Sequence, residues 1–298
     1  MWIDEVTDVL REAAAEAIVP RHRALGEGEI TEKTPGEVVT VADRDAEALI
    51  TRRLRGLRDV PVVGEEAVAA TPALLAAVAQ EPEVWLVDPL DGTANFVAGR
   101  DDYAVMAALV SGGQTVASWI LQPATGATYT AERGSGAWRG DGVRLLRAPA
   151  PAEPGALRGA ALTGFLSPRA RAHVESSAPR FARLSSGTKC AGVDYPRLAE
   201  GALDFLLHHR TLPWDHAPGA LLATEAGCTV LRPDDASGYR PDDDRSGLLS
   251  AADPRCWRSV RPLLLPASDR PARSDPDDGL NRPTGPRPSD CPHPSDPS

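Results

Sequence analysis

A chain of 298 residues is long enough to bury a sizeable core, as one large domain or two modest lobes. Its formal charge of −10 and acidic isoelectric point of about 5.1 argue against nucleic acid as a main partner, because phosphate backbones select basic faces. The acid excess suits a protein that holds cations. Four cysteines (Cys190, Cys228, Cys256 and Cys291) form no CxxC pair and no framework spacing, so reduced, scattered thiols are expected. The opening MWIDEVTDVLREAAAEAIVP carries acids where a secretory leader needs a basic region. No run reaches the roughly 18 apolar residues of a membrane span. A cytoplasmic protein with no membrane partner is the expectation.

Residues 3–18 place Ile3, Val6, Val9, Leu10, Ala13, Ala14 and Ala17 at helical spacing. GEGEITEKTPGE reads as a polar, Gly-rich connection. VVTVADRDAEALITRRLRGL predicts a short strand or turn, then a helix over about 43–55. VPVVGEE predicts a buried strand ending in acids. TPALLAAVAQ predicts a helix with Thr71 as N-cap and Pro72 at its first position. VWLVD is the next buried strand. From Tyr103 to about Val143, YAVMAALV, TVASWILQ and ATYTAE read as strands separated by SGGQ and PATG turns, with RGDG at 139–142 as a hairpin turn.

The segment APAPAEPGA, 148–156, reads as a boundary between an N-terminal α+β lobe (1–147) and a C-terminal α/β lobe (156–265). RGAALTG, SPRARAHVESS and FARLS then predict strand, helix, strand. A helix over about 189–200 follows, then the strand LDFLLHH. WDHAPGALLATEAG predicts a helix closed at Gly227. LLSAA and DPRCWRSVRPLLL end the folded part. Residues 266–298 hold nine prolines and one large aliphatic residue, Leu280. Such a segment buries too little apolar surface to offset its ordering entropy, so disorder is expected.

Three of these elements deliver carboxylates: Glu65 and Glu66 after VPVVG, Asp88 and Asp91 in VWLVDPLDGT, and Asp215 in LPWDHAPG. Any one of them alone is an ordinary cap or a solvated end. Together, carboxylates at the ends of buried strands repel one another and resist desolvation, which a bound Mg²⁺ resolves as a hard cation with oxygen ligands. Gly92 lets the backbone approach a ligand, and a helix starting near Thr93 offers free N–H groups to an anion. Metal beside phosphate points to phosphoryl transfer or phosphate hydrolysis. A haloacid-dehalogenase site needs DxDGT, whereas Pro89 stands where its nucleophile would be, so an aspartyl-phosphate mechanism is excluded.

GEE at 64–66, DPLDGTANF at 88–96 and PWDHAPGALLATEAG at 213–227 resemble the three signature blocks of the inositol monophosphatase family. VVTVADRDAE at 38–47 resembles its upstream block, and GATYTAERGSGAWRGDGVRL its hairpin region. The resemblance covers about residues 3–265. It implies an α/β, layered αβαβα sandwich, a homodimer, and Mg²⁺-dependent hydrolysis of a small phosphomonoester. By position, Glu65, Asp88, Asp91, Asp215 and the Leu90 carbonyl would be ligands of two or three Mg²⁺ ions, with Asp43 in the outer shell of one. Glu65 and Thr93 would activate the attacking water, Asp88 completing the catalytic set. Asp91, Gly92, Thr93, Ala191, His208 and Asp215 would contact the substrate. The chemistry implied is direct in-line attack by metal-bound water, with no phosphoenzyme. Lithium sensitivity is a further expectation from the family.

The sequence departs from the family on the substrate side. Seven residues before Asp215 the animal inositol enzymes carry a Glu that contacts ring hydroxyls; here that residue is His208. Lys189, Cys190 and Ala191 replace the family's GTA or GSA, and Lys189 offers a cation for a second phosphate. Trp214 is expected beneath the metal site and His216 behind it. Inositol phosphate or a related polyol or sugar phosphate is the leading substrate class. Histidinol phosphate, fructose bisphosphate and adenosine 3′,5′-bisphosphate remain alternatives on the same fold. A catalytically silent phosphate-binding or scaffold protein is the alternative outside enzymology.

Overall fold

The computed structural model describes residues 3–34, 37–140 and 142–265. The expected disorder of 266–298 and Asp141 of the expected RGDG turn lie outside the described residues. Helix α1 (Ile3–Ala13) buries Val6, Val9, Leu10 and Ala13 on one face, and a π-turn carries the helix on to Ile18. The 3.6-residue spacing read from the sequence is that face. The stretch expected as a polar connection instead contains a strand: β1 (Ile30–Thr34) pairs antiparallel with β2 (Glu37–Thr40). This ribbon has no buried face at Ile30, which is 41% exposed, so no apolar alternation marks it. Helix α2 (Val41–Leu57) starts two residues before the expected 43, because Thr40 and Asp43 cap it reciprocally.

Strand β3 (Val62–Gly64) runs directly into α3 (Glu65–Ala70). The helix expected over 71–80 is a 3-10 turn, Pro72–Ala76, and one short turn, α4 (Ala77–Gln80). Thr71 makes no side-chain cap; its N–H closes α3 on the Ala67 carbonyl. Leu74 and Leu75 are about two-fifths exposed, so no packed face lengthens that helix. Then follow β4 (Glu83–Asp91), α5 (Thr93–Val97), β5 (Ala104–Ser111), β6 (Gln114–Gln122), β7 (Ala127–Glu132), β8 (Gly136–Arg139) and β9 (Val143–Leu145). Strands β3 to β9 form one sheet in sequence order, antiparallel except at β3–β4.

The second half supplies β10 (Arg158–Ala161), α6 (Pro168–Ser177), β11 (Arg183–Ser185), α7 (Ala191–Ala199), β12 (Phe205–His208), α8 (Pro213–Glu225), β13 (Thr229–Leu231), β14 (Leu248–Ala251) and α9 (Pro254–Leu264). Its sheet has the order β11-β10-β12-β14-β13. The short β13 has three residues and no sequence signal long enough to read. Gly227, at φ +98°, follows α8 in the expected closing position.

Strand parity sorts the layers. Val105, Ala107 and Leu109 of β5 pack with α1 and α2, whereas Ala104 and Met106 pack with α7 and α8. The far side of α7 and α8 meets Leu206 and Leu248 of the second sheet, whose other face carries α6 and α9. The order is α1/α2, seven strands, α7/α8, five strands, α6/α9: the expected αβαβα sandwich. Helices of the C-terminal half thus share a core with the sheet of the N-terminal half. Small residues permit the contact. A Cβ on Gly192 would lie 2.4 Å from that of Ala104, and one on Gly219 would lie 2.0 Å from the Tyr195 ring.

Candidate active site

The middle layer brings the ends of β3 and β4 to the starts of α7 and α8. Glu65 opens α3, Asp88 and Asp91 end β4, and Asp215 sits in the first turn of α8. Carboxylate oxygens of Glu65, Asp88 and Asp215 all lie within 4.8 Å of one another. Asp88 is buried, and Glu65 and Asp215 are half-buried. Burial pushes the Asp88 carboxyl well above its ordinary value, and Glu65, Asp91 and Asp215 push it further. Asp215 is raised by burial and then by Asp91 and Glu65, with Arg210 pulling the other way.

Asp91 stands beside this trio and leans on α7. Its Oδ2 accepts the Gly192 N–H at 2.6 Å and the Cys190 thiol at 3.1 Å. Burial lifts its carboxyl to about 7, those two donors holding it back. Cys190 is buried and its thiol is pushed well up, first by burial and then by Asp91. That keeps it a neutral donor, in line with the packing role expected of it.

The DGT turn has the backbone the motif needs. Gly92 has φ +85°, and a Cβ there would lie 2.8 Å from the Asp102 carbonyl and 3.1 Å from the Cys190 Cβ. It caps the short α5, leaving the first-turn N–H groups at an open helix start. Thr93 opens α5. Its Oγ lies 3.0 Å from Asp43 Oδ1 and 2.9 Å from the Leu90 carbonyl, and its one proton serves them in turn. Asp43 Oδ2 accepts the Thr40 N–H at 2.8 Å and the Thr40 hydroxyl at 2.6 Å. Asp43 therefore ties the start of α2 to Thr93.

The substrate-side expectations divide. Ala191 opens α7, so its N–H is at the helix start, and it is Gly192 whose N–H reaches Asp91. Lys189 is exposed and takes φ +62° just before Cys190. His208 needs correction as a substrate contact. Both ring nitrogens are shut from solvent and lack a hydrogen-bond partner among the described residues. Its ring stacks on Tyr195 at 5.4 Å and meets His216 edge-on at 4.7 Å. Burial pulls its pKa down to about 4, so at neutral pH it is an uncharged core ring. Strand parity explains the placement: His208 shares the face of Leu206, which looks onto α7 and α8. Trp214 is buried and packs with Val63, Leu86 and Ala217. His216 lies behind Asp215, its Nδ1 3.0 Å from the Tyr195 hydroxyl and its Nε2 3.0 Å from the Arg210 carbonyl.

A sequence profile of the inositol monophosphatase family matches residues 2–267. This chain belongs to the inositol monophosphatase family. An inositol-1-monophosphatase SuhB of Mycobacterium tuberculosis is 38% identical over 219 residues, covering 69% of this chain and 72% of that one. The Nus factor SuhB of Vibrio cholerae is 32% identical over 241 residues, covering 77% and 83%. The crystal structure of the extragenic suppressor protein suhB from Bartonella henselae superposes with a TM-score of 0.74 at 25% identity, covering 88% of this chain and 99% of that one. The chain is accordingly a phosphoric monoester hydrolase of the inositol monophosphatase fold. Among the described residues no helix is long and apolar enough to cross a membrane.

Three further residues, which the motif reading did not single out, brace the site. Lys33 of β1 bonds Glu65 at 2.9 Å and also contacts Glu66. Burial pulls the Lys33 ammonium down, but the Glu65 charge and its bonds to both acids outweigh this and raise it. Glu47 of α2 accepts the N–H groups of Glu66 and Ala67, each at 2.8 Å, and so aims the start of α3. Asn95 donates to the Asp102 and Thr188 carbonyls, each at 2.8 Å, fastening the DGT turn to the approach to α7. Glu47 and Asn95 stand inside the quoted blocks and were legible there; Lys33 lay in the unrecognised strand β1.

Proposed function

We propose that this hydrolase is Mg²⁺-dependent and acts on inositol phosphate or a related polyol or sugar phosphate. One observation carries the reading: Glu65, Asp88 and Asp215 gather within 4.8 Å with Asp91 beside them, a set of repelling carboxylates that a hard divalent cation satisfies. The donor set fits Mg²⁺, all oxygen and no thiolate or imidazole. Glu65, Asp88, Asp91, Asp215 and the Leu90 carbonyl would hold two or three ions. Bound there, Mg²⁺ supplies positive charge that acidifies water and steadies the leaving oxygen.

The chain's own groups do the rest. The N–H groups of Gly92 and Thr93 receive the phosphate, and the left-handed Gly92 admits it without a side chain in the way. Glu65 accepts the proton of the attacking water. Asp43 and the Leu90 carbonyl orient the Thr93 hydroxyl, and the N–H of Ala191 borders the substrate. No protein nucleophile is required, because no acid occupies position 89. A homodimer in the cytoplasm completes the reading, on the strength of the family likeness.

The test is phosphate release from inositol 1-phosphate, histidinol phosphate, fructose 1,6-bisphosphate and adenosine 3′,5′-bisphosphate, with and without Mg²⁺. Mg²⁺-dependent turnover that Asp88→Asn abolishes, with the variant folded, is the expected result. Turnover indifferent to Mg²⁺, or to Asp88→Asn, sinks the proposal.

A further inference from the structure

Burial of His208 leaves the substrate side without the polar contact expected there. The same loop offers another group. Residues 209–212 join β12 to α8, and Arg210 stands five residues before Asp215. Its carbonyl is held from behind. His216 is kept neutral, chiefly by burial, and its Nε2–H donates to the Arg210 carbonyl while its Nδ1 accepts from the Tyr195 hydroxyl. That relay fixes the loop and leaves the Arg210 side chain pointing outward, 39% exposed.

The guanidinium has a built seat. It lies 4.3 Å from the centroid of the Phe165 ring. Phe165 is 56% exposed, a costly place for a phenyl ring unless something uses its face. The loop that carries Phe165 is itself tied down, since Arg171 donates to the Thr163 and Gly164 carbonyls. From the other side, Glu37 of β2 pairs with Arg210 Nη1. Strand β2 leads straight to Thr40 and Asp43, so Arg210 spans from the α8 side of the cleft to the α2 side.

Stacking occupies the face of a guanidinium and leaves its N–H edge for in-plane bonds. Nε and Nη2 of Arg210 have no hydrogen-bond partner among the described residues. The loop that carries Arg210 runs directly into the first turn of α8, where Asp215 sits. The carboxylates gathered with Asp215 are those of Glu65 and Asp88. Lys33 is taken up by Glu65 and Glu66, whereas Arg210, stacked and with an open edge, is suited to an oxyanion held away from the acid cluster.

We propose that Arg210, seated on Phe165, is a specificity-determining residue that binds a second oxyanion on the phosphomonoester substrate. The inference rests on the phosphatase reading above. It names the substrate as a phosphomonoester with another phosphate or a carboxylate on the same molecule.

Two matched pairs test it: inositol 1-phosphate against inositol 1,4-bisphosphate, and glycerol 2-phosphate against 2-phosphoglycerate. The readout is the ratio of kcat/KM within each pair, with Mg²⁺ saturating. A charge-assisted fork predicts a preference of about tenfold or more for the member bearing a second oxyanionic group in at least one pair. The first pair responding alone assigns a phosphate; the second alone assigns a carboxylate. In Arg210→Gln the ratio falls toward one, mainly through KM, and in Arg210→Lys it is intermediate. Phe165→Ala lowers it about threefold, consistent with a loss of about 0.5–1 kcal/mol of cation–π contact. Arg180→Gln, at an exposed position after α6, leaves the ratio unchanged. Thermal melts of each variant confirm folding, and Arg210→Lys carries the test if Arg210→Gln does not fold. Mg²⁺-dependent turnover with no preference in either pair overturns the Arg210 inference and leaves the phosphatase reading standing. A preference that survives Arg210→Gln overturns it equally. No turnover of any phosphoester removes the phosphatase reading and this inference with it.

Discussion

Without metal, the acids at the end of β4 oppose folding, and Asp91 gives the scale. Its carboxyl moves from the ordinary 3.8 to about 7, chiefly by burial, against the pull of the Gly192 N–H and the Cys190 thiol. A rise of about 3 units is worth about 4 kcal/mol between the protonated and charged forms. The sign follows from linkage. An acid raised by folding gives its stability fully below its unfolded value and loses it as pH climbs through about 7. Between about pH 6.5 and 8.5, Asp91 alone removes about 0.8 kcal/mol. Asp88 and Asp215 are raised well above their ordinary values and act in the same direction. His208, His209 and His216 are pulled down by burial, so each carries a penalty of up to about 0.4 kcal/mol at about pH 6.5 that fades as pH rises; this offsets Asp91 alone, and the net loss across the window comes from Asp88 and Asp215.

Asp91→Asn removes the charge and keeps an oxygen for the Gly192 N–H. At about pH 8.5 in chelator the variant should be more stable than the parent by up to about 4 kcal/mol, or on the order of 10 °C in Tm. Thermal unfolding at both pH values, with and without Mg²⁺, measures this. The parent should lose stability from about pH 6.5 to 8.5 in chelator, and Mg²⁺ should restore it by mass action. Mg²⁺ should help the variant less. A parent that is as stable at the higher pH as at the lower, or a variant no more stable than the parent there, refutes the reasoning.

Gly92→Ala forces a Cβ to 2.8 Å from the Asp102 carbonyl at φ +85°; the left-handed backbone alone costs about 1–2 kcal/mol, and kcat should fall further than KM changes, read by steady-state kinetics. Asn95→Ala loses two bonds of 2.8 Å, a cost of about 2 kcal/mol visible in urea unfolding, with activity down because the DGT turn loosens from α7. Lys33→Met leaves Glu65 and Glu66 facing each other; with both partly exposed the loss in chelator is about 1–2 kcal/mol, and Mg²⁺ should recover most of it, a differential that calorimetry in the two conditions records.

The paired acids of β4 were legible from sequence for a local reason. Asp88 and Asp91 lie within four residues of one another on a strand whose buried run, VWLVD, is unmistakable, and Gly92 marks the turn that follows. Reading these residues needs only the strand's burial and the turn's backbone. Strand β1 was not legible, because it carries no alternating apolar face, and Lys33 was hidden with it. Thr71 misled because cap chemistry was present without a packed helix behind it. His208 misled because alignment fixes a residue's position along β12 but not the depth at which its ring sits.

The sequence by itself determined the α/β character, the αβαβα family likeness and the acids at the strand and helix ends. Short-range terms decide these: strand burial, capping, and the left-handed freedom of Gly92. Tertiary structure alone decided which acids meet. Glu65 and Asp215 lie far apart in the chain, and they converge because Gly192 and Gly219 let α7 and α8 pack close between the two sheets. It also decided that Asp91 would be held by the start of α7, that Arg210 would rest on Phe165, and that His208 would face inward. Those outcomes depend on which faces of distant elements pack together, and no local pattern of residues specifies that.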